Sequence, residues 1–378
     1  MPPQQKASSR LARVSAHFVE AAAAAPASPH PSLLAAAPSS SSSTGSAGLL
    51  RVASFEFDVT PPLGTPLMDG GVAAAAEIKT PLTARGVVLL GMIDGPAVLC
   101  SVDWVSICND SHDRLRAALA RGCGTTSDRV ALHTVHQHDA PGCDSATEHL
   151  LEAHGLGGLG MVEPFLPNVA AEFEAATRAA VAGGGTPVTH IGTGSAVVDR
   201  VASNRHIMGA DGLVKMQRYS STGTNPEAAA APEGVIDRKL QVLGMWSGDT
   251  GLVSLSYYAT HPMCGYGQGS VQWDFIGMAR QQFEEAASCL PSGGGPAAIH
   301  FTGAAGNIAV GKYNDGLPQR KSELAGRVAS AMLSAWEDAR GNRRPFLAAD
   351  ATWCGKRLFG YSFYETPRTF TKTGSGQT

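Results

Sequence analysis

The chain has 378 residues, 43% hydrophobic and 16% charged, with a formal net charge of −3. That balance suits a well-buried globular protein of one large or two small domains, with no basic stripe for nucleic acid and no apolar run near the roughly 20 residues that span a bilayer. Seven cysteines (Cys100, Cys108, Cys123, Cys143, Cys264, Cys289 and Cys354) form no CxxC pair, which argues against a zinc ribbon or thioredoxin-like site and fits a reducing compartment better than a disulfide framework.

Residues 1–49 are compositionally separate, with an alanine run, a serine run, several prolines and the single acidic residue Glu20. Such a segment buries too little apolar surface to offset the entropy of ordering. Lys6, Arg10 and Arg13 among Ser and Ala resemble an organelle transit peptide, and a disordered tail fits equally well. The predicted folded domain therefore covers residues 50–378.

Leu50–Asp58 alternates as a strand and stops at Pro61-Pro62. Gly86–Met92 and Ala97–Trp104 read as two strands joined by the turn residues 93–96, the second ending at Asp103. A helix capped by Asp110 or Ser111 is expected to about Ala120, and Gly122–Thr125 ends it. Arg129–His136 then predicts a strand with Val130, Leu132 and Thr134 on one face, closed at Pro141-Gly142. Helices are expected over 168–182, over 275–288 with Asp274 as cap, and over 322–339. Thr189–Val198, Leu240–Trp246, Leu252–Thr260, Ala297–Thr302 and Phe346–Trp353 read as further strands, with a long Gly- and Ala-rich loop out to Glu233. No repeat of 20 to 50 residues occurs, so a solenoid is excluded. The expected fold class is α/β, a mixed sheet core layered with helices.

Several polar clusters terminate strands: Asp103, His136 with His138, His261, and the turn Gly303–Asn307. His136 and His138 are two apart, so on an extended backbone both rings leave one face and can grip a transition metal, most often zinc. His261 would complete a three-nitrogen site with room for a catalytic water; a His before Pro could equally hydrogen-bond a loop. Arg205 could hold a carbonyl or carboxylate through its fork of donors, or lie solvated at the surface. Gly306 and Asn307 sit in a turn that could offer N–H groups to an oxyanion, or that only needs its backbone shape. Cys143 and Cys264 read as small buried thiols.

Taken together the motifs resemble neutral (alkaline, non-lysosomal) ceramidases. Phe57-Asp58-Val59-Thr60-Pro61-Pro62 resembles that family's D-[IV]-T-x-P strand exit, and Ser101-Val102-Asp103 its strand ending in Asp. His133 to Gly142 is similar to T-x-T-H-T-H-S-G-P-G, in which H-x-H is the diagnostic part. Asn204-Arg205 with Asn225-Pro226-Glu227 corresponds to N-R-S-P followed by N-N-P-x-E; Ala259-Thr260-His261-Pro262 resembles A-T-H-x-[TS], and Asp274-Phe275-Ile276-Gly277 resembles D-[YF]-P-G. The set spans about Phe55 to Gly311, and its order is more specific than any one piece.

The resemblance implies Zn2+ held by His136 and His261, with His138 as acid/base or oxyanion support and Arg205 orienting the substrate. The implied reaction is attack of a zinc-activated hydroxide on the amide of an N-acylsphingosine, giving fatty acid and sphingoid base. The partner is then a lipid-like small molecule, with scope for peripheral membrane contact but no nucleic acid; family members are often secreted or membrane-associated. Two departures stand out. Ala309 occupies the place of the hydroxyl that the family's G-D-V-S-P-N turn would supply, within Gly306-Asn307-Ile308-Ala309-Val310-Gly311. The family's Glu and Tyr ligands and its immunoglobulin-like domain lie further downstream than Thr378, and no motif ties Tyr361, Tyr364 or Glu365 to the metal. The chain thus reads as a divergent, shortened relative. A metallohydrolase of another amide or ester class and an inactive ceramidase-like binding module are the alternatives.

Overall fold

The structure, a computed structural model, describes residues 49–92, 94–158, 165–223, 225–290 and 295–346. Residues 1–48, the tail with Tyr361, Tyr364 and Glu365, Cys354, and the expected strand beyond Phe346 lie outside these.

Two five-stranded sheets form the centre. The first contains β1 (Arg51–Asp58), β2 (Thr83–Leu90), β3 (Ala97–Val102), β4 (Val130–Thr134) and β5 (Thr186–Pro187), ordered β4-β3-β2-β1-β5. The second contains β6 (His190–Val197), β7 (Lys239–Ser247), β8 (Thr250–Tyr258), β9 (Ala297–Thr302) and β10 (Arg344–Pro345), ordered β9-β8-β7-β6-β10. The helices are α1 (Asn109–Cys123), α2 (Ser145–Ala153), α3 (Phe165–Ala182), α4 (Pro226–Ala230), α5 (Asp274–Ser288) and α6 (Gln319–Gly341). In each sheet only the third and fourth strands pair in parallel. A parallel pair requires a crossover, supplied by α1 in the first sheet and α5 in the second. Both halves therefore run three antiparallel strands, a crossover helix, a fourth strand, a long helix and a short edge strand. This repetition spans about half the chain, so no short sequence period betrays it.

Strand alternation sorts the side chains into three cores. Val98, Cys100 and Val102 of β3 pack with Leu115, Leu119 and Phe173 under α1 and α3. Ala97 and Leu99 of the same strand point the other way, onto Val253, Leu255, Ile299 and Phe301 of the second sheet. Val242, Trp246 and Ala298 cover the far face of that sheet beneath Phe283, Met332 and Trp336 of α5 and α6. The result is four layers, helix–sheet–sheet–helix, which is an α/β fold.

Local boundaries depart from expectation at several places. β2 begins at Thr83 rather than Gly86, because Thr83 pairs with Asp58 across the ladder. Neither Asp110 nor Ser111 caps α1; the N-cap is Cys108, Asn109 adopts φ 48°, and its side chain donates to Asp144. α5 follows Trp273, and Asp274 is its buried first residue, accepting from Phe275 N and Cys264 N. The loop expected before Glu233 contains a hairpin, His206–Met208 with Val214–Gln217, and α4. β4 stops at Thr134, two residues short of His136.

Close packing of α6 on β6 rests on absent side chains. A Cβ on Gly192 would lie 2.1 Å from Ala339 O, and one on Gly194 would lie 2.2 Å from Ala335 O. Both neighbours are helix backbone and cannot swing aside. Gly194→Ala is accordingly expected to destabilise the protein by about 1–3 kcal/mol, read as a lowered urea midpoint at unchanged m-value.

Two buried imidazoles make the fold acid-sensitive. His133 Nε2 accepts a hydrogen bond from Thr302 N at 2.9 Å, joining the edge strands of the two sheets, so that nitrogen must be unprotonated. Burial, with His136 nearby, pushes His133 down to about 4. Burial, with Arg280 nearby, takes His300 to about 3; Ser256 Oγ meets its Nδ1 at 2.9 Å. Both folded values lie below the ordinary 6.5, so the unfolded chain binds more protons in between. Stability is expected to be full above about pH 6.5 and to fall as pH drops toward 4, with further loss toward 3. Urea midpoints measured from pH 7 to 4 check this, and a flat profile would contradict it.

Candidate metal centre

The site forms where strand-end loops of the two halves meet. In the first half the loop after β3 runs beside the loop after β4: Val135 N donates to Val102 O, His136 N to Trp104 O, and Val105 N to Pro141 O. Trp104 is fully buried, with its indole N–H on Val59 O, so this pair of loops is firmly anchored. In the second half the loop after β8 is tied to the loop after β9, with His261 N on Ile308 O at 2.9 Å and a bridge from His261 to Ala309.

His136, His138 and His261 converge in the loops beyond the strand ends. One nitrogen from each lies within 4.8 Å of the others, and no other such group of three metal-ligating residues occurs among the described residues. His136 reaches this position at φ 73°, not on an extended backbone, so the two rings of the H-x-H pair converge through a kink. A non-glycine residue there stores of order 1–3 kcal/mol of strain, which the surrounding ladder sustains. His136 Nδ1 lies 2.6 Å from Val105 O, and His261 Nδ1 lies 2.6 Å from Ala305 O. A carbonyl only accepts, so both Nδ1 atoms carry a proton and Nε2 is the atom of each ring left to ligate a metal. His138 Nδ1 is buried without a partner.

These residues fit a tetrahedral cation. With nitrogens at about 2.1 Å, ring centres lie about 3.2 Å from the ion and therefore roughly 5.2 Å from each other. The observed separations are 5.2 Å for His136–His138, 4.7 Å for His136–His261 and 5.6 Å for His138–His261. Burial, then the neighbouring imidazoles and Arg205, holds His138 near 3. Burial also lowers His261, against the opposing bond to Ala305 O. Both are thereby kept as neutral donors.

The other expected residues separate into near and far. Arg205 is beside the cluster: it acts electrostatically on His138 and His261, its Nε is buried without a partner, and no carboxylate pairs with it among the described residues. The turn at Gly306 and Asn307 meets Arg205 through its oxygens: Asn307 O accepts Arg205 N at 2.7 Å and Gly306 O accepts the guanidinium at 3.4 Å. Ala309 is 0% exposed, clamped between His261 and Ser203, whose hydroxyl donates to Ala309 O. Asp103 lies outside the cluster, in an ion pair with Arg280. Asp139 is buried and ties down the 265–272 loop through Gly267 N and Gln272 Nε2. That loop brings Tyr266 edge-on against His138 at 4.7 Å, a contact without a sequence signal. The six described cysteines are all free.

No protein-family profile and no curated protein sequence matches the chain. Solved structures do. A ceramidase complexed with C2 superposes at TM-score 0.59 and 17% identity over 78% of this chain and 45% of that one. The neutral ceramidase of Pseudomonas aeruginosa superposes at TM-score 0.56 and 17% identity over 78% and 46%. The chain shares the fold of these ceramidases. It spans less than half their length, and at this identity the likeness concerns the fold alone.

Proposed function

We propose that the chain is a zinc-dependent hydrolase cleaving the amide of an N-acylsphingosine to fatty acid and sphingoid base. The observation that supports this best is the three-imidazole cluster with ring separations suited to one tetrahedral ion, on a ceramidase fold. Zinc bound there would supply Lewis acidity and a water activated near neutral pH.

The chain's own residues would do the rest. His136 and His261 are held in the correct tautomer by Val105 O and Ala305 O, and His138 offers the third nitrogen in place of carrying a proton. Arg205, without an acidic partner among the described residues, would bind the amide carbonyl and the carboxylate product through its fork. Gly306 O and Asn307 O orient that arginine. Ala309 has no hydroxyl and no exposed surface, so the reading assigns the nucleophile to water. The same residue favours a second reading, a binding module with the ceramidase fold that performs no hydrolysis.

The test is release of labelled fatty acid from a short-chain ceramide by zinc-loaded protein. Release abolished by chelation, restored by zinc, and lowered about a hundredfold in kcat/KM by Arg205→Met is the expected result. Hydrolysis of a simple ester without any ceramide cleavage would assign another substrate class, and zinc binding with no hydrolysis of either would assign the binding module.

A further inference from the structure

Arg218 is a buried cation, 1% exposed, with no carboxylate hydrogen-bonded to it among the described residues and Glu233 acting on it only at longer range. Four carbonyls take its place. Nε donates to Ala228 O at 3.0 Å, one terminal nitrogen to Asn204 O at 3.0 Å, and the other to Ala231 O and Pro232 O at 3.0 and 3.2 Å. Its backbone N–H also donates to Arg205 O at 2.6 Å. Gly311 lets the side chain pass, since a Cβ there would meet Arg218 Cγ at 2.8 Å and Tyr219 O at 2.1 Å.

Burying an unpaired guanidinium is costly unless its donors are satisfied, so the arrangement points to a task that a neutral side chain would not perform. The Arg218 side chain holds the Asn204 carbonyl and its backbone N–H the Arg205 carbonyl, while Asn307 O accepts the Arg205 N–H from the other side; the guanidinium bond to Asn204 O is the one that a substitution removes. Lys312 offers a contrast. Its Nζ donates to Ala229 O and Ala231 O, the same end of α4, and only its backbone N–H, which a substitution keeps, reaches Ser203 beside Asn204.

We infer that Arg218 is a positioning residue, clamping the Asn204–Arg205 backbone to the end of α4 so that the Arg205 guanidinium faces the three-histidine cluster. This rests on the reading of Arg205 as the group that binds the substrate carbonyl or product carboxylate. The Lys312 side chain anchors α4 alone.

A double-mutant cycle read by octanoate binding to the zinc-loaded protein separates positioning from general structure. Arg218→Met is expected to weaken octanoate about tenfold in the wild-type background and less than about twofold when Arg205→Met is already present, with zinc content unchanged. Lys312→Met is expected to lower the unfolding temperature without altering octanoate affinity. Should Arg218→Met not fold, Arg218→Lys, which keeps the charge and loses the planar fork, carries the same cycle with a factor of about threefold. Equal factors in both backgrounds, no effect of Arg218→Met, or an equal effect of Lys312→Met would overturn the assignment. Octanoate binding that survives Arg205→Met intact would remove the reading of Arg205 together with it, whereas a loss confined to Arg205→Met would remove the positioning role alone.

Discussion

Purified protein carrying His261→Ala is expected to retain less than about a tenth of an equivalent of zinc after dialysis, against about one per chain for the wild type, with an unchanged far-ultraviolet spectrum. His136→Ala should behave alike, since each replacement leaves two nitrogens for an ion that takes four donors. The fold should survive because the loops are held by backbone bonds, Val135 to Val102 and His261 to Ile308, which an alanine keeps. Zinc is also expected to stabilise the wild type, by about 2.7 kcal/mol at one hundred times its dissociation constant, and to leave the His261→Ala unfolding temperature where it was. Differential scanning calorimetry with and without zinc reads this. A variant that still binds a full equivalent would place the metal elsewhere.

Asp103→Asn is expected to cost about 3–5 kcal/mol of unfolding free energy, the largest single loss foreseen for a residue outside the metal cluster. Asp103 and Arg280 are each 1% exposed, and the two terminal guanidinium nitrogens donate one to each carboxylate oxygen, at 2.7 and 2.8 Å. Thr83 adds its N–H and its hydroxyl. Burial alone would raise the Asp103 pKa, but Arg280 and then Thr83 outweigh it and hold the carboxyl below its ordinary value. The asparagine removes the charge and strands the guanidinium in a core where its Nε is already without a partner. The sign in pH follows from the lowered value: the contribution is complete above the unfolded carboxylate pKa of about 3.9 and is lost as pH falls through the folded one. Replacing both partners, Asp103→Leu with Arg280→Met, should recover most of the loss, because no unpaired charge is left behind. Urea unfolding of the two singles and the double gives the coupling. A double no better than the sum of the singles would mean that the pair does not act as a unit.

The periodic parts of the fold were legible from the residues. β1, β6, β7, β8, β9 and α3 fall within a few positions of where apolar spacing puts them, and that strand-end loops could bring His136, His138 and His261 into one pocket was also legible. What escaped has a physical reason in each case. The kink at His136 is a left-handed backbone whose N–H donates to Trp104 O, and no residue type signals it. Val105 O and Ala305 O, which fix the two imidazole tautomers, are main-chain acceptors and leave no mark on composition. The hairpin after Arg205 is short and exposed, so its alternation spans too few residues to be distinguished from a loop. Asp103 has the look of a site residue because it ends a strand, yet its partner Arg280 is 177 positions away on a helix that appears only amphipathic. The repeat of topology between the halves is likewise carried by strand order and not by sequence.

X-ray absorption at the zinc edge of the loaded protein tests the central claim most directly. Three histidine nitrogens at about 2.0–2.1 Å, with the outer-shell scattering of three imidazoles that falls to two in His138→Ala, is the result that the geometry requires. Sulfur neighbours at about 2.3 Å, or a spectrum indifferent to all three histidine replacements, would contradict it.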